Sequence, residues 1–400
     1  MFAGQALSSF GDSALYLTLG IWAKTLTGSN SAAGGVFLAL ALPTLFAPLT
    51  GHIADRVRRK TLLITVNAVT ALIVLTLVFV RSSAGLWLIY VVAFCYGSSF
   101  DFLSAAGAGL RKDMLRGEDL ASANALLQMS SQGLRVLSPL VGTGLFVAFG
   151  GPSVAIFDAV TFVGAIVATA TLRVAESAPE PTTEKSFWRE NAAGFRHIRA
   201  VPVLAQMCLV CAIAFSVIGF EETIIFAVVG DGLRRPPSFN GVVLSVQGGG
   251  AIVAGLTAAY LMRRLGGARL VGLSLACVAG GALAYMTGVL PLVLAGAVLD
   301  GLGVVWLSVG LFTSMQVHTP PRLQGRVNAA AATMLITPQT ASIAAGTILI
   351  SLVSYRLLLL VIAVVIGLCA VWLLARPAPE ALEKGGTGEA VQDLVRGLSP

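Results

Sequence analysis

Twelve apolar runs recur along the 400-residue chain, and each is about as long as a helix must be to cross a bilayer. Hydrophobic residues make up 56% of the sequence and charged residues only 11%, well below the roughly 25% typical of a soluble domain. The sequence therefore predicts an all-α integral membrane protein. Its spans are predicted at residues 3–25, 33–54, 61–80, 85–109, 121–147, 153–172, 203–228, 240–261, 270–288, 291–316, 328–350 and 357–375.

The basic residues indicate which way the spans run. If both termini lie in the cytoplasm, 20 of the 26 Lys and Arg residues fall in inner loops or tails, five fall in outer loops, and Arg135 lies within a span. Short cytoplasmic loops collect Lys and Arg, so a missed or extra helix would destroy this asymmetry. We therefore predict a multi-pass plasma-membrane protein with both termini cytoplasmic. The formal charge of +7 belongs to these loops, and no nucleic-acid partner is predicted.

A hydrophilic insertion separates the first six spans from the last six. In its second part Trp188, Ala192 and Phe195 share a helical face opposite Arg189, Arg196 and Arg199, which predicts a helix lying on the inner membrane surface. The predicted domains are a six-helix bundle (1–172), a cytoplasmic linker with this amphipathic helix (173–200), a second six-helix bundle (201–376) and a disordered cytoplasmic tail (377–400).

The two halves resemble each other in sequence. Residues 115–129 have a counterpart in 320–334, and the loop at 51–60 has one in 259–267, at offsets of 204 and 208 residues. These similar offsets indicate a duplication that gives two pseudo-symmetric bundles. A site at the interface of the repeats is the expected plan for a transporter of this size.

Charged side chains lie within several predicted spans. Each costs about 2.5–3.5 kcal/mol on insertion scales, so such residues are rare unless functional or paired. Asp12 lies near the midplane of the first span and Asp300 near that of the tenth, while Asp101 and Arg135 lie close to that depth in the fourth and fifth. Arg135 needs a partner, and Asp12 or Asp101 fits. One of these acids could carry a proton, or the pair could be a permanent structural ion pair.

Three further acids receive different interpretations. Glu221 and Glu222 lie in the outer third of the seventh span, about 100° apart on a helix, so at most one should face a cavity fully and attract cations near its mouth. Asp158 is only five residues from the predicted start of the sixth span. We interpret Asp158 as an outer-edge or packing residue and leave it out of the predicted site.

Two polar stripes run along single helical faces. In the fifth span Asn124, Gln128, Ser131, Arg135, Ser138 and Gly142 recur at spacings of three and four, and in the first span Gln5, Ser9, Asp12 and Tyr16 do the same. Lipid would not tolerate such faces, so they should line the bundle interior or a water-filled cavity. The alternative is polar contact between packed helices, which Ser, Asn and Gln ordinarily supply.

The loop after the second span has the pattern Gly51-x-x-x-Asp55-Arg56-x-x-Arg59-Lys60. This pattern resembles the loop signature of the major facilitator superfamily. The segments GQALSSFGDSALYL, RGEDLASANAL, AGFRHIRAVPVL and LQGRVNA are similar to its macrolide-efflux and siderophore-exporter branch, which contains drug:proton antiporters. The family's Gly two residues after the Asp-Arg pair is Arg58 here. The antiporter signature GPxxGG of the fifth helix retains only Pro139 and Gly142.

The resemblance implies the major facilitator fold and export by alternating access. It also implies that the loop of Gly51, Asp55, Arg56 and Arg59 closes the inner side in the outward-facing state, with Asp55 meeting an Arg or a helix N-terminus. From these features we predict proton-coupled efflux of a drug-like or antibiotic molecule by a monomer in the membrane of a bacterium. The predicted partners are the substrate, protons and the lipid bilayer.

The sequence lacks the motifs that are typical of other classes of function. The sequence has no GxxxxGK[ST], HExxH or GxSxG motif, so an ATP-driven pump in a single chain is excluded and no enzyme is predicted. The five cysteines fall in apolar runs without the partners a metal needs, and we expect neither metal nor cofactor. Two alternatives stay open: an exporter of a siderophore or another self-made metabolite, and a non-transporting membrane sensor or assembly protein.

Overall fold

The computed structural model describes residues 2–46, 50, 53, 54, 56–114, 134, 137–172, 184–320 and 323–375. Within these ranges all the regular elements are helices. They are α1 (Phe2–Thr27), α2 (Asn30–Ala41), α3 (Arg59–Leu75), α4 (Leu86–Met114), α5 (Leu137–Phe149), α6 (Gly151–Ala170), α7 (Glu184–Ala200), α8 (Pro202–Ile218), α9 (Glu221–Ala227), α10 (Asn240–Leu265), α11 (Gly267–Met286), α12 (Leu290–Val317), α13 (Gln324–Leu349) and α14 (Tyr355–Ala375).

The predicted all-α membrane fold is confirmed. Among the described residues, eight helical segments are long and apolar enough to span a bilayer, and the 26-residue helices α1 and α13 occupy the first and eleventh predicted spans. The second and fifth predicted spans run partly through residues 47–49 and 121–133, which lie outside the described residues. The count of twelve therefore stays a prediction.

Two single-residue turns join helices that run in opposite directions. Gly150, at φ +81°, connects α5 to α6, and Gly266, at φ +77°, connects α10 to α11. A residue with a side chain rarely adopts this left-handed backbone conformation, so glycine allows the chain to reverse within one residue. Each pair of helices is therefore joined without a longer loop.

Buried apolar side chains form two large cores. One extends from Leu15 to Phe162 and also takes in Phe226 and Ile343, and the other extends from Ile198 to Leu373. Helix α6 packs on α1 and α3 in the first half, while α12 packs on α10 and α11 in the second. Most of the packing therefore lies within one half or the other. The predicted domain bounds stay a prediction.

The linker helix α7 packs on the second half of the chain. Ile198 is only 3% exposed, and Gly194 lies so close to the Arg326 backbone that a Cβ would overlap its carbonyl group. Ala192 and Phe195, two residues of the predicted membrane-surface face, are exposed. A different face, with Gly194 and Ile198, packs on the second half, and the position of α7 on the membrane surface stays a prediction. The side chain of Trp188 lies outside the described residues.

Candidate functional site

Asp12 on α1 is held by two hydroxyl groups. The Tyr96 hydroxyl on α4 donates to Asp12 Oδ1 at 2.5 Å, and the Ser8 hydroxyl, one turn earlier on α1, donates to Oδ2 at 3.5 Å. Tyr96 is buried, while Asp12 is half-buried. Asp12 therefore sits between the first and fourth predicted spans, facing into the first half of the chain.

Asp158 on α6 lies beside this pair, although we left it out of the predicted site. Its side chain is fully buried and interacts electrostatically with Asp12 and Tyr96. The Thr161 hydroxyl lies 3.4 Å from its Oδ1, and its Oδ2 has no hydrogen-bond partner among the described residues. A Cβ on Gly11 would overlap Asp158, so glycine lets α6 bring this carboxyl group against α1.

We call Asp12, Tyr96 and Asp158 the N-terminal acid cluster. Within the described residues no Lys or Arg forms an ion pair with either acid, and the ion pair recorded there joins Arg59 to Asp113. Burying a charge without a partner is expensive, and the hydroxyl groups of Tyr96 and Ser8 reduce that cost for Asp12. Two carboxyl groups around one phenol are well suited to exchanging a proton.

Other predicted residues lie near α1. Gln5 accepts a hydrogen bond from Arg111 Nη1 of α4 at 3.3 Å, so Gln5 and Asp12 both face α4. Asp101 is half-buried on α4, and its buried Oδ2 has no hydrogen-bond partner among the described residues. Arg135 and Gln128 lie outside the described residues, so the pairing of Arg135 with Asp12 or Asp101 stays a prediction.

The predicted motif of the fifth span contacts α1. Pro139 is buried, and a Cβ on Gly142 would come within 2.6 Å of the Ala14 carbonyl oxygen. Gly142 therefore allows α5 to pack close to α1 at Ala14, which lies about half a helical turn after Asp12.

A second group of buried acids lies in the other half of the chain. Asp300 on α12 is 3% exposed, and the Tyr285 hydroxyl of α11 interacts with it. Glu221, the first residue of α9, interacts electrostatically with both Asp300 and Glu222. A Cβ on Gly281 would overlap Asp300, so this acid sits against the backbone of α11. We call Glu221, Tyr285 and Asp300 the C-terminal acid cluster.

The two halves meet at the predicted outer face, where α1 ends and α2 begins. Asn30 Nδ2 donates to Asp231 Oδ2 at 3.1 Å, and the Phe37 and Phe226 rings lie 5.9 Å apart. A Cβ on Gly34 of α2 would overlap Thr223 of α9 and come within 2.9 Å of Thr347 Oγ1 of α13. Small and polar side chains thus hold α2 against the second half.

The basic residues of the predicted inner loop bind within their own half. Arg59 Nη1 forms an ion pair with Asp113 and donates to the Gly109 carbonyl oxygen at 3.2 Å. Lys60 Nζ donates to the carbonyl oxygens of Ala170 and Leu172 at 2.9 and 2.6 Å, at the end of α6. Arg56 is exposed. Gly51 and Asp55 lie outside the described residues, so the predicted closure by this loop stays a prediction.

Spanning helices in two packed halves around buried acids define a protein of the membrane-transporter class. A family model described as Major Facilitator Superfamily matches residues 1–337 and 236–399. The chain belongs to this superfamily, and it is a transporter rather than an enzyme.

Similar proteins differ in what they carry. An uncharacterized MFS-type transporter, YfiS of Bacillus subtilis (strain 168), is 25% identical over 272 residues, which cover 66% of this chain and 63% of that protein. A mutant form of the nucleoside transporter NupG has a TM-score of 0.75 at 13% identity, covering 94% of this chain and 99% of its own.

A bacterial homologue of the iron transporter ferroportin is similar in two states. Its inward-facing structure has a TM-score of 0.69 at 17% identity, and its outward-facing structure one of 0.60 at 18% identity. Each comparison covers 94% of this chain and 97% of the other. These likenesses show the fold alone.

Proposed function

We propose that the protein is a proton-coupled exporter of a drug-like or antibiotic molecule that works by alternating access. The observation that carries this proposal is Asp12, a half-buried membrane acid held by Tyr96 and Ser8 and adjacent to Asp158. An acid of this kind can release its proton on one side of the membrane and regain it on the other. The exchange then ties substrate movement to the proton gradient.

The contacts between halves support a state closed at the predicted outer face. Asn30 with Asp231, and Gly34 with Thr223, join the halves at that end. In an exporter this is the state that loads substrate from the cytoplasm.

The sequence supports the proposed substrate class and the proposed orientation in the membrane. The segments that resemble the macrolide-efflux branch favour an antibiotic-like cargo, whereas the relatives and neighbours have different or unknown cargoes. We place the chain as a monomer in the bacterial plasma membrane with both termini in the cytoplasm. The distribution of Lys and Arg supports this orientation.

Purified protein in liposomes containing a pH-sensitive dye tests the proposal. We expect antibiotic-like compounds to cause proton movement that protein-free liposomes lack, and an efflux-deficient host expressing the chain to gain resistance to the same compounds. Movement elicited only by siderophores would favour the metabolite exporter. No substrate-dependent proton movement across a broad panel would reject proton coupling and favour the sensor or assembly role.

Replacing Asp55 with Asn should impair transport without inverting the topology. If Asp55 binds an Arg or a helix N-terminus of the other half, its loss removes a charge-assisted contact of about 1.5–3 kcal/mol from the outward-facing state. Flux should fall at least about tenfold, because about 1.4 kcal/mol already corresponds to a factor of ten. Arg58→Gln is the matched control, because it removes a charge from the same loop and should retain flux. Wild-type flux in the Asp55 variant would show that the loop only anchors the chain at the inner membrane surface.

A further inference from the structure

The linker helix α7 has a surface that the function proposed so far does not use. Gly194 and Ile198 pack on the second half, whereas Phe195, Arg196 and Arg199 are exposed. We propose that these three exposed side chains bind the headgroups of anionic phospholipids in the cytoplasmic leaflet, and we call them the α7 lipid face. This inference concerns the lipid around the protein. It therefore does not depend on the substrate or on proton coupling.

The end of α7 lies at the membrane boundary because the chain enters a span directly after it. Only Val201 separates α7 from the apolar span Pro202–Gly232. Arg199 is three residues before that span, and Arg196 is about one helical turn earlier. The headgroup region is roughly 5–8 Å thick on each side of the hydrocarbon core. The last turn of α7 is therefore placed beside lipid headgroups.

Two further contacts hold α7 along the same boundary. His197 Nε2 donates to the His318 carbonyl oxygen at 3.1 Å, and His318 directly follows the spanning helix α12. Gly194 packs against the backbone of Arg326, the third residue of α13. The last two turns of α7 thus touch the ends of two more helices of the bundle. They lie along the predicted inner face and do not extend away from it.

The α7 lipid face combines the two kinds of side chain that a helix at a membrane surface needs. Arg199 follows Phe195 by four residues and Arg196 by three, so the three side chains lie on one side of the helix. The arginines therefore adjoin Phe195, although the sequence pattern predicts opposite faces. Phe195 is 38% exposed and can enter the boundary between headgroups and acyl chains. Each guanidinium can bind a lipid phosphate through two hydrogen bonds.

The charge of this half favours anionic over zwitterionic lipid. Residues 191–375 contain four acids, all predicted near the midplane or the outer face: Glu221, Glu222, Asp231 and Asp300. The inner ends of the helices carry four more exposed arginines: Arg263, Arg264, Arg269 and Arg326. The preference of cytoplasmic loops for basic residues explains these arginines but not an exposed Phe fixed beside two of them. Anionic headgroups match both the positive charge and the apolar side chain.

Fluorescence quenching by spin-labelled lipids tests this inference in liposomes. The full chain, in a background without the five native cysteines, carries Ala192→Cys with an environment-sensitive dye on the exposed side of α7. We expect phosphatidylglycerol with a nitroxide near its headgroup to reach half-maximal quenching at about a tenfold lower mole fraction than the equivalent phosphatidylcholine. Added salt should reduce this difference, because it screens contacts between exposed charges.

Three variants separate the contributions of charge and apolar contact. Arg196→Gln and Arg199→Gln should each weaken the preference for phosphatidylglycerol about fivefold, the factor that one arginine contributes near an anionic surface. Phe195→Ser should weaken quenching by both lipids to a similar extent, because it removes no charge. Arg81→Gln is the matched control, since it changes an exposed arginine at the predicted outer face and should leave the preference unchanged.

Three results would overturn the α7 lipid face. Equal quenching by the two lipids would show that it does not select anionic headgroups. Absence of quenching by either lipid would place this side of α7 in the cytoplasm. A preference for phosphatidylglycerol that persists at high salt would contradict binding through the arginines, and this result needs no arginine variant.

Discussion

Asp12→Asn is expected to abolish proton-driven transport while leaving expression and folding normal. Asn has nearly the same shape as Asp, and its carbonyl oxygen can still accept the hydrogen bond from Tyr96. It cannot take up and release a proton. Substrate-dependent proton movement in liposomes should therefore fall to the level of protein-free liposomes, and the variant should confer no resistance in the efflux-deficient host.

Two companion variants sharpen this experiment. Ser8→Ala removes only the 3.5 Å hydrogen bond to Asp12 and should transport at close to the wild-type rate, so it serves as the matched control. Asp158→Asn changes the neighbouring acid in the same cluster. If Asp12→Asn transports normally and Asp158→Asn does not, the proton carrier is Asp158. Normal transport by both variants would remove the N-terminal acid cluster from the mechanism.

Gly34→Val is expected to stop transport by preventing closure of the outer face. Even a Cβ at this position would overlap Thr223 and crowd Thr347, which belong to the other half of the chain. Overpacking of a tight contact typically costs about 1–3 kcal/mol. Because those clashes exist only when the halves are closed at this end, the variant should stay in the outward-facing state and lose at least about tenfold in flux.

Labelling of a buried cysteine can detect this change of state. Thr143 on α5 is buried against Gly241 of α10, at the same end of the molecule but away from Gly34. Thr143→Cys, in a background without the five native cysteines, should react slowly with maleimide in detergent and faster when Gly34→Val is added. Gly249→Val is the matched control, because a Cβ there has no neighbour within 4 Å. Unchanged labelling in the Gly34 variant would show that the outer face still closes.

The sequence predicted the helices and the individual acids better than it predicted their neighbours. Apolar length and charge rarity identify spans and membrane acids such as Asp12 and Asp300, because both signals are local. That Tyr96 donates to Asp12, or that Asp158 lies against Gly11, depends on helices more than 80 residues apart in the chain. Depth along one span does not show which side of α6 faces α1, so it could not place Asp158 against Gly11.

The linker helix shows the same limit on a smaller scale. Hydrophobic periodicity selected Trp188, Ala192 and Phe195 as the face of α7 on the membrane surface, and it did not identify Gly194 and Ile198 as the face that packs on the second half. Periodicity measures how apolar a face is and not how closely two backbones can approach. Gly194 was the available signal for close packing in the sequence. A glycine indicates such a contact only when the partner helix is known.

The contacts of Arg59 and Lys60 have a mechanical consequence. Arg59 ties the start of α3 to the end of α4, and Lys60 ties it to the end of α6. Three helix ends at the predicted inner face are thus cross-linked by charged side chains. The inner ends of α3, α4 and α6 cannot separate from one another without breaking those contacts. These three helices should instead move as one rigid body during transport. Spin-label distances among them should therefore stay constant while distances to the other half of the chain change.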